Sequence, residues 1–198
     1  MKIVLRGGLE LEDPLEATIR FVEAYPDYDS RDSPPGSFDE SDLRHANRGG
    51  ARISAAQIAA ILERRRRIER ALRSIAPEAS LADADVPWRS LTQLFDAFAE
   101  ISGIGFSKMT KALHPKRRAL IPMLDSVVQT YLVTDEAKEA SFAERATALV
   151  GSYKQDLDRN LAALRQVQRD LAAGGYPPLT EVRILDVLIW SAYTPAKR

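Results

Sequence analysis

The sequence predicts an all-α protein, a compact bundle of about eight or nine helices. Three observations predict this fold: apolar residues recur at helical spacing, helix starts carry capping residues, and strand signals are weak. The 198 residues fit one helical domain over residues 1–198. The linker Pro77–Pro87 leaves a second organisation open, with lobes at about 1–87 and 88–198.

Capping pairs three residues apart predict the helix starts of the first half. In such a pair the first side chain caps the helix and the second bonds back to it. The pairs are Asp13 with Glu16, Ser37 with Glu40, and Ser54 with Gln57. The second helix is expected to stop at Gly49–Gly50, and the third to run on to Ile75. Lys2–Leu5 is predicted as a short edge strand or a tail packed on the helices, and Tyr25–Ser37 as a turn-forming loop.

The second half carries three more helix starts. They are the pairs Ser90 with Gln93 and Ser141 with Glu144, and the cap Thr180. The first of these helices is expected to reach Ile101. The second should be the longest of the chain, ending at Gly174–Gly175, because its apolar stripe continues to Leu171.

Composition excludes several classes of site. Lys plus Arg and Asp plus Glu number 28 each, so no net charge draws the chain to a polyanion. The absence of cysteine excludes disulfides, thiolate zinc sites and iron–sulfur clusters, and two histidines are too few for a histidine-rich metal site. The apolar run Ile3–Leu5 is too short for a signal peptide, and no stretch approaches transmembrane length. We therefore expect a cytoplasmic protein without a membrane partner.

The segment 101–128 carries the clearest functional signal. Gly103-Ile104-Gly105 breaks one helical pattern and a second begins at about Ser107, which predicts a helix–hairpin–helix at about 90–113. Backbone amides freed at the start of the second helix suit a phosphate group. Those amides belong to Gly105, Phe106 and Ser107.

Local charge agrees with a phosphate site. From Gly103 to Asp125 there are five cations and one acid, so the segment has a net charge of +4. The cations are Lys108, Lys111, Lys116, Arg117 and Arg118. Together with Gly103, Gly105, Phe106 and Ser107, these cations are our predicted contacts to a DNA backbone.

This segment resembles the helix-hairpin-helix DNA glycosylase superfamily, which includes endonuclease III and the 8-oxoguanine glycosylases. Ile101–Gly105 stands where that family has its DNA-binding hairpin. Ile121–Leu124 then precedes Asp125 at the start of the next helix, as a short apolar and proline-containing stretch precedes the family's aspartate. The spacing from Gly103 to Asp125 is 22 positions, which agrees with the family's.

The resemblance implies a hydrolase of the DNA-repair type that acts on double-stranded DNA. Asp125 would stabilise the cationic sugar, or activate water, while an N-glycosidic bond breaks in a nucleotide flipped into a pocket between helical lobes. Ser107 occupies the position of the family's nucleophilic lysine and Lys108 lies one residue later, so we expect hydrolysis without lyase activity. No metal or iron–sulfur cluster is implied, although a monovalent cation at the hairpin is compatible with the resemblance.

Two other function classes remain open at this stage. The hairpin would also suit a DNA-binding protein without catalysis, and a helical interaction or scaffold protein would use it only as a connector. In either class Asp125 would only cap a helix. The zero net charge favours the scaffold class.

Other residues carry weaker signals. Asp42–Arg48 would line a pocket, contact DNA or form an exposed short helix. Tyr25 and Tyr28 would stack on a flipped base, and Trp190 would pack in the last helix. His114 is expected to interact favourably with the dipole at the end of its helix. The runs SKMTKALHPKRRALIPMLDSVV (107–128) and RILDVLIW (183–190) also resemble an uncharacterised family of bacterial helical proteins.

Overall fold

A computed structural model describes residues 2–25, 29, 33–132 and 140–194, and the predicted all-α fold is confirmed within them. The described residues form nine α-helices: α1 (Pro14–Ala24), α2 (Glu40–Arg48), α3 (Ala55–Glu63), α4 (Arg65–Arg73), α5 (Trp88–Asp96), α6 (Phe106–Leu113), α7 (Ser126–Leu132), α8 (Phe142–Ala173) and α9 (Glu181–Tyr193). Short 3₁₀ turns occur at Arg6–Gly8 and His114–Lys116. Two strands, β1 (Ile3–Val4) and β2 (Glu10–Leu11), pair antiparallel.

Four of the predicted helix caps are confirmed. The side chains of Asp13, Ser54, Ser141 and Thr180 each accept a hydrogen bond from a backbone N–H in the first turn of their helix. The longest helix among the described residues is α8, which ends at Ala173 with Gly174 as its C-cap residue, as predicted. These signals succeed because a cap and its helix are neighbours in sequence.

Two predicted caps are wrong. The cap of α2 is Asp39, whose carboxylate accepts from Ser41 N at 2.7 Å, while Asp42 Oδ2 accepts from Asp39 N at 2.9 Å. An acidic pair two residues later thus replaces the predicted Ser37 pair. Helix α5 starts at Trp88 directly after Pro87, so Ser90 lies inside the helix instead of capping it.

Two predicted helices are shorter than expected. The helix predicted to reach Ile75 is divided into α3 and α4, because Arg64 leaves the helical conformation (φ −94°, ψ 6°). The Arg64 guanidinium donates to the carbonyl of Ala99, which ties this break to the residues after α5. Helix α5 itself ends at Asp96, before Ile101.

The N-terminal strand packs against α8. Arg6 donates to Asp156 Oδ2 at 2.5 Å and to the Ser152 carbonyl at 2.6 Å, and Val4 N donates to Asn160 Oδ1 at 2.9 Å. Lys2–Leu5 was predicted to be either a short strand or a tail packed on the helices. The structure combines the two, since β1 is a strand that packs on a helix. These bonds hold the start of the chain, including α1, beside α8 and α9.

Helix α9 lies in the centre of the fold. Its residues 182–189 are all buried, and it contacts α1, α7 and α8. Two of those eight residues are charged, Arg183 and Asp186. The helix therefore places ionisable side chains inside the protein, which is unusual unless they are paired or functional.

No helix among the described residues has both the length and the apolar character that crossing a membrane needs. Residues 26–28 and 30–32 of the predicted loop at 25–37 lie outside the described residues.

Candidate active site

The predicted hairpin lies between α5 and α6. Gly103 adopts a positive φ of 73°, a conformation that favours glycine, and the buried side chains of Ile101 and Ile104 anchor the turn on both sides. Gly105 is the N-cap residue of α6, and within the described part of the chain no side chain caps this helix. The first amides of α6 are thus free of side-chain acceptors in the way an anion site requires.

The hairpin is held against α3 by Gln57. Its amide nitrogen donates to the Ser102 carbonyl at 3.3 Å, and its amide oxygen accepts from Lys108 Nζ at 2.8 Å. A side chain at Gly103 would overlap the Gln57 amide, so glycine also allows the close approach. Lys108 and the hairpin therefore form one connected surface with the start of α3.

Asp125 caps α7, as the sequence predicted. Its Oδ1 atom accepts from Val128 N at 3.0 Å, and its backbone carbonyl accepts from Gln129 N at 2.8 Å. The preceding residues 121–124 are all buried, whereas Asp125 is half-buried. No other described residue hydrogen-bonds to Oδ2, so one carboxylate oxygen remains available to a ligand.

Asp125 lines a pocket of about 210 Å³. The pocket walls come from the ends of α1 and α2, from α6 and α7, and from α9, with aromatic, basic and acidic side chains together. The lining residues are Phe21, Tyr25, Arg48, Gly49, Lys111, Met123, Asp125, Val128, Arg183, Asp186, Val187 and Trp190. A concave site that combines apolar surface with a few converging charges is the usual form of a small-molecule site.

Three aromatic rings pack together on one side of the pocket. The ring centroids of Phe21 and Tyr25 are 4.9 Å apart, and Trp190 lies 5.9 Å from Phe21 and 6.4 Å from Tyr25 in edge-on contacts. Tyr25 is 48% exposed, so its ring is open to a ligand. Trp190 was expected to serve packing alone, but it also lines the pocket.

Two cations inside the pocket have defined partners. Arg183 Nε donates to both carboxylate oxygens of Asp29, at 2.9 and 3.0 Å, and its guanidinium lies 4.9 Å from the Phe21 ring centre. Lys111 Nζ donates to the Gly49 carbonyl at 2.9 Å. Burial lowers the pKa of Lys111, the carboxylate of Asp125 raises it, and Arg183 and Arg52 lower it further.

Asp186 is the second carboxyl group of the pocket. It is 3% exposed, its Oδ2 atom accepts from Met123 N at 3.1 Å, and its Oδ1 atom has no hydrogen-bond partner among the described residues. Burial raises the pKa of Asp186 to about 7, despite the opposing charge of Arg183. The group therefore holds its proton close to neutral pH, and Asp125 nearby contributes to this effect.

Two of the predicted DNA contacts need correction. The Lys116 side chain is 2% exposed and its Nζ lies 2.9 Å from Asp42 Oδ1. Arg117 is 2% exposed and donates to the carbonyls of Leu72 at 2.5 Å and Ile75 at 2.7 Å, at the end of α4. Both cations face the interior because the buried acceptors need donors, so neither side chain reaches a nucleic-acid backbone.

The structure separates the remaining predicted residues into two groups. Lys111 and Asp125 line the pocket, whereas Gly103, Gly105 and the start of α6 form the hairpin surface. Phe106 is buried, and Ser107, Lys108 and Arg118 are half-buried. Of the residues Asp42–Arg48, Arg48 lines the pocket, which was one of the predicted alternatives, while Asp42 and His45 are buried.

Sequence reasoning missed Asp186 and Arg183. Their signal was present in the run 183–190, where two charged residues interrupt an otherwise apolar helix. Charged residues on a fully buried helix are rare and mark candidate sites. Among the described residues there is no group of three or more His, Asp or Glu side chains suited to a metal ion.

Comparison with protein families gives one match. The sequence pattern of a family of unknown function, DUF6308, matches residues 15–193. The chain belongs to this family. The family match spans the whole pocket, from Phe21 on α1 to Trp190 on α9. No curated protein matches the chain, and no solved structure matches it.

Proposed function

We propose that the chain hydrolyses the N-glycosidic bond of a nucleotide held in this pocket, with Asp125 as its catalytic carboxylate. One observation carries the proposal: a carboxylate with an available oxygen lines the same small pocket as three aromatic side chains. Aromatic faces stack on any base, and a carboxylate stabilises a sugar that becomes cationic. The two features serve the two halves of one nucleoside.

Pocket size supports a single nucleobase as the group bound. The volume of about 210 Å³ is below the roughly 300 Å³ at which pockets for drug-sized ligands begin. A base would enter against Tyr25 and Trp190, and the sugar would follow it to the level of Asp125. A base paired within a duplex cannot reach such a site, so the nucleotide must be flipped or single-stranded.

The reaction needs one carboxylate and one water molecule. As the bond from C1′ to the base nitrogen breaks, its electron pair leaves with the base and C1′ becomes cationic. The Asp125 carboxylate stabilises that charge or accepts a proton from the attacking water, whose oxygen bonds to C1′. A proton on the base nitrogen completes the products, a free base and a sugar hydroxyl.

The hairpin supports DNA as the carrier of that nucleotide. Its positive-φ glycine, the uncapped start of α6 and the nearby cation Lys108 suit one backbone phosphate. Because Lys116 and Arg117 are buried, fewer side chains are available to the DNA backbone than the sequence predicted. Backbone binding would then be weak, with the small salt dependence that a single phosphate contact gives.

The test is base release from duplexes that each carry one deaminated, oxidised or alkylated base. We expect release from at least one of them, and Asp125→Asn should slow it by about a hundredfold to a thousandfold, as loss of one electrostatic stabiliser does. Asparagine can still cap α7, so the fold should persist.

Asp13→Asn is the matched control, because Asp13 caps α1 in the same manner and does not line the pocket. Equal loss of activity in both variants, or release by neither the native chain nor any variant, would refute the catalytic role of Asp125. DNA binding without release would leave a non-catalytic binding protein.

A further inference from the structure

The basic side of the pocket is not balanced by the acids around it. Arg48 and Lys111 both line the pocket. Arg183 is neutralised by Asp29, and Asp186, whose pKa is raised by burial to about 7, is only partly ionised at neutral pH. Asp125 and a partly ionised Asp186 are then the acids that line the pocket among the described residues, so the pocket as a whole is positive although the chain has no net charge.

No contact among the described residues gives the Arg48 side chain a structural role. It is the last residue of α2 and is exposed, and no hydrogen bond or ion pair joins it to another described residue. By contrast, Arg44 on the same helix pairs with Glu40 at 2.6 Å. A guanidinium presents five donors, which suit the oxygens of a phosphate group.

Lys111 adds a second donor at the same end of α2. One of its three N–H donors binds the Gly49 carbonyl, which leaves two. Burial is the main cause of its lowered pKa; Asp125 opposes this effect, and Arg183 and Arg52 add to it. A bound anion would supply the missing negative charge.

We propose that Arg48 and Lys111 form a phosphate subsite, so that the pocket takes a phosphorylated nucleoside, with the base on Tyr25 and Trp190 and the phosphate at the end of α2. This inference rests on the proposed function for the nucleoside part. The phosphate belongs to a free nucleoside monophosphate or to a strand that carries the flipped nucleotide. Both share the same chemistry at Arg48.

The test is calorimetric binding to the full chain carrying Asp125→Asn, so that the ligands survive. The ligands are the four deoxynucleosides, their 5′-monophosphates, and a short single-stranded oligonucleotide. We expect the monophosphates to bind about tenfold or more tightly than the nucleosides, as charge-assisted hydrogen bonds to phosphate provide. Adding Arg48→Gln should remove that difference, so that the monophosphates bind no more tightly than the nucleosides.

Arg44→Gln is the matched control, since it removes the same charge from the same helix outside the pocket. If only the oligonucleotide shows the dependence on Arg48, the phosphate comes from a strand and the subsite stands. The proposal would be overturned if the nucleosides bound as tightly as both the monophosphates and the oligonucleotide, if Arg44→Gln and Arg48→Gln had equal effects, or if no phosphorylated ligand bound. Base release by the native chain is measured separately, so binding without release would refute the hydrolytic function and keep the subsite.

Discussion

Asp186 makes the stability of the protein depend on pH in a direction opposite to that of most carboxylates. Its pKa is raised by burial from an ordinary 3.8 to about 7, with Arg183, Asp125 and Tyr153 as its charged or titratable neighbours. The folded protein therefore holds this proton where the unfolded chain has released it. Because Asp186 binds more protons in the folded state between about pH 4 and 7, its contribution to the free energy of unfolding falls as pH rises through that range.

The size of the effect follows from the two pKa values. The difference between 3.8 and about 7 corresponds to roughly 4 kcal/mol at about 1.4 kcal/mol per pH unit. This value is an upper limit, since the interior relaxes and water enters when a buried group ionises. If the Asp186 contribution to the free energy of unfolding fell by roughly 2 kcal/mol between pH 5 and pH 8, the change would still be well above the error of a denaturation experiment.

The perturbation is Asp186→Asn. Asparagine has nearly the same shape, and its amide oxygen can still accept from Met123 N, but it does not ionise. The variant should therefore lack the decrease in stability toward pH 8. The difference between the two proteins, measured by urea unfolding at several pH values, isolates the contribution of Asp186.

His114 has to be separated from this effect. Burial lowers its pKa to about 4, and its Nδ1–H donates to the Ile121 carbonyl at 2.7 Å, so it is neutral at pH 7 and does not answer a helix dipole as the sequence suggested. The folded state then binds fewer protons than the unfolded chain between about pH 4 and 6.5, and stability rises with pH there. The free energy of unfolding of the native protein should therefore change little in that range and fall above it. That of Asp186→Asn should rise through the same range and then stay level. A constant difference between the two proteins from pH 5 to pH 8 would refute a protonated Asp186.

Three further substitutions test the corrected and the predicted parts of the segment. Arg117→Met should lower the free energy of unfolding by at least about 3 kcal/mol in urea, because buried carbonyls of α4 lose their donor; a fully stable variant with weaker DNA binding would restore the surface role of Arg117. Gly103→Ala should cost about 1–2 kcal/mol, since alanine is strained at φ 73° and would meet Gln57. Gly105→Ala has open space around it and should change stability by less than about 0.5 kcal/mol, and equal thermal shifts in the two glycine variants would contradict the close packing of the hairpin.

The helices were largely predictable because their signals are local. A cap such as Ser54 or Ser141 acts within one turn of chain, so its effect can be recognised without knowing the fold. The break at Arg64 was not predictable in this way. The Arg64 side chain at the break bonds to Ala99, which is 35 residues away, and such a long-range contact leaves no local signal.

The candidate site was predictable only in part. Asp125 was found because its capping position, its spacing from the hairpin and its charge are all sequence properties. The aromatic wall was not found, because Phe21 and Trp190 meet only when α1 packs on α9. Asp186 left a signal in the apolar run of α9, but its unpaired oxygen could be recognised only from the packing around it.

The charge of the segment 103–125 shows why counting residues misled the prediction of DNA contacts. The net charge of +4 counts every charged residue of this segment, whereas the field outside the protein depends on which charges are exposed and unpaired. Lys116 is paired with Asp42 and Arg117 bonds to buried carbonyls, so both contribute to folding. The cation that lacks a described partner at the pocket, Arg48, lies outside the segment altogether. A ligand of the kind we propose would therefore meet the positive charge of the pocket rather than the full charge counted over the segment 103–125.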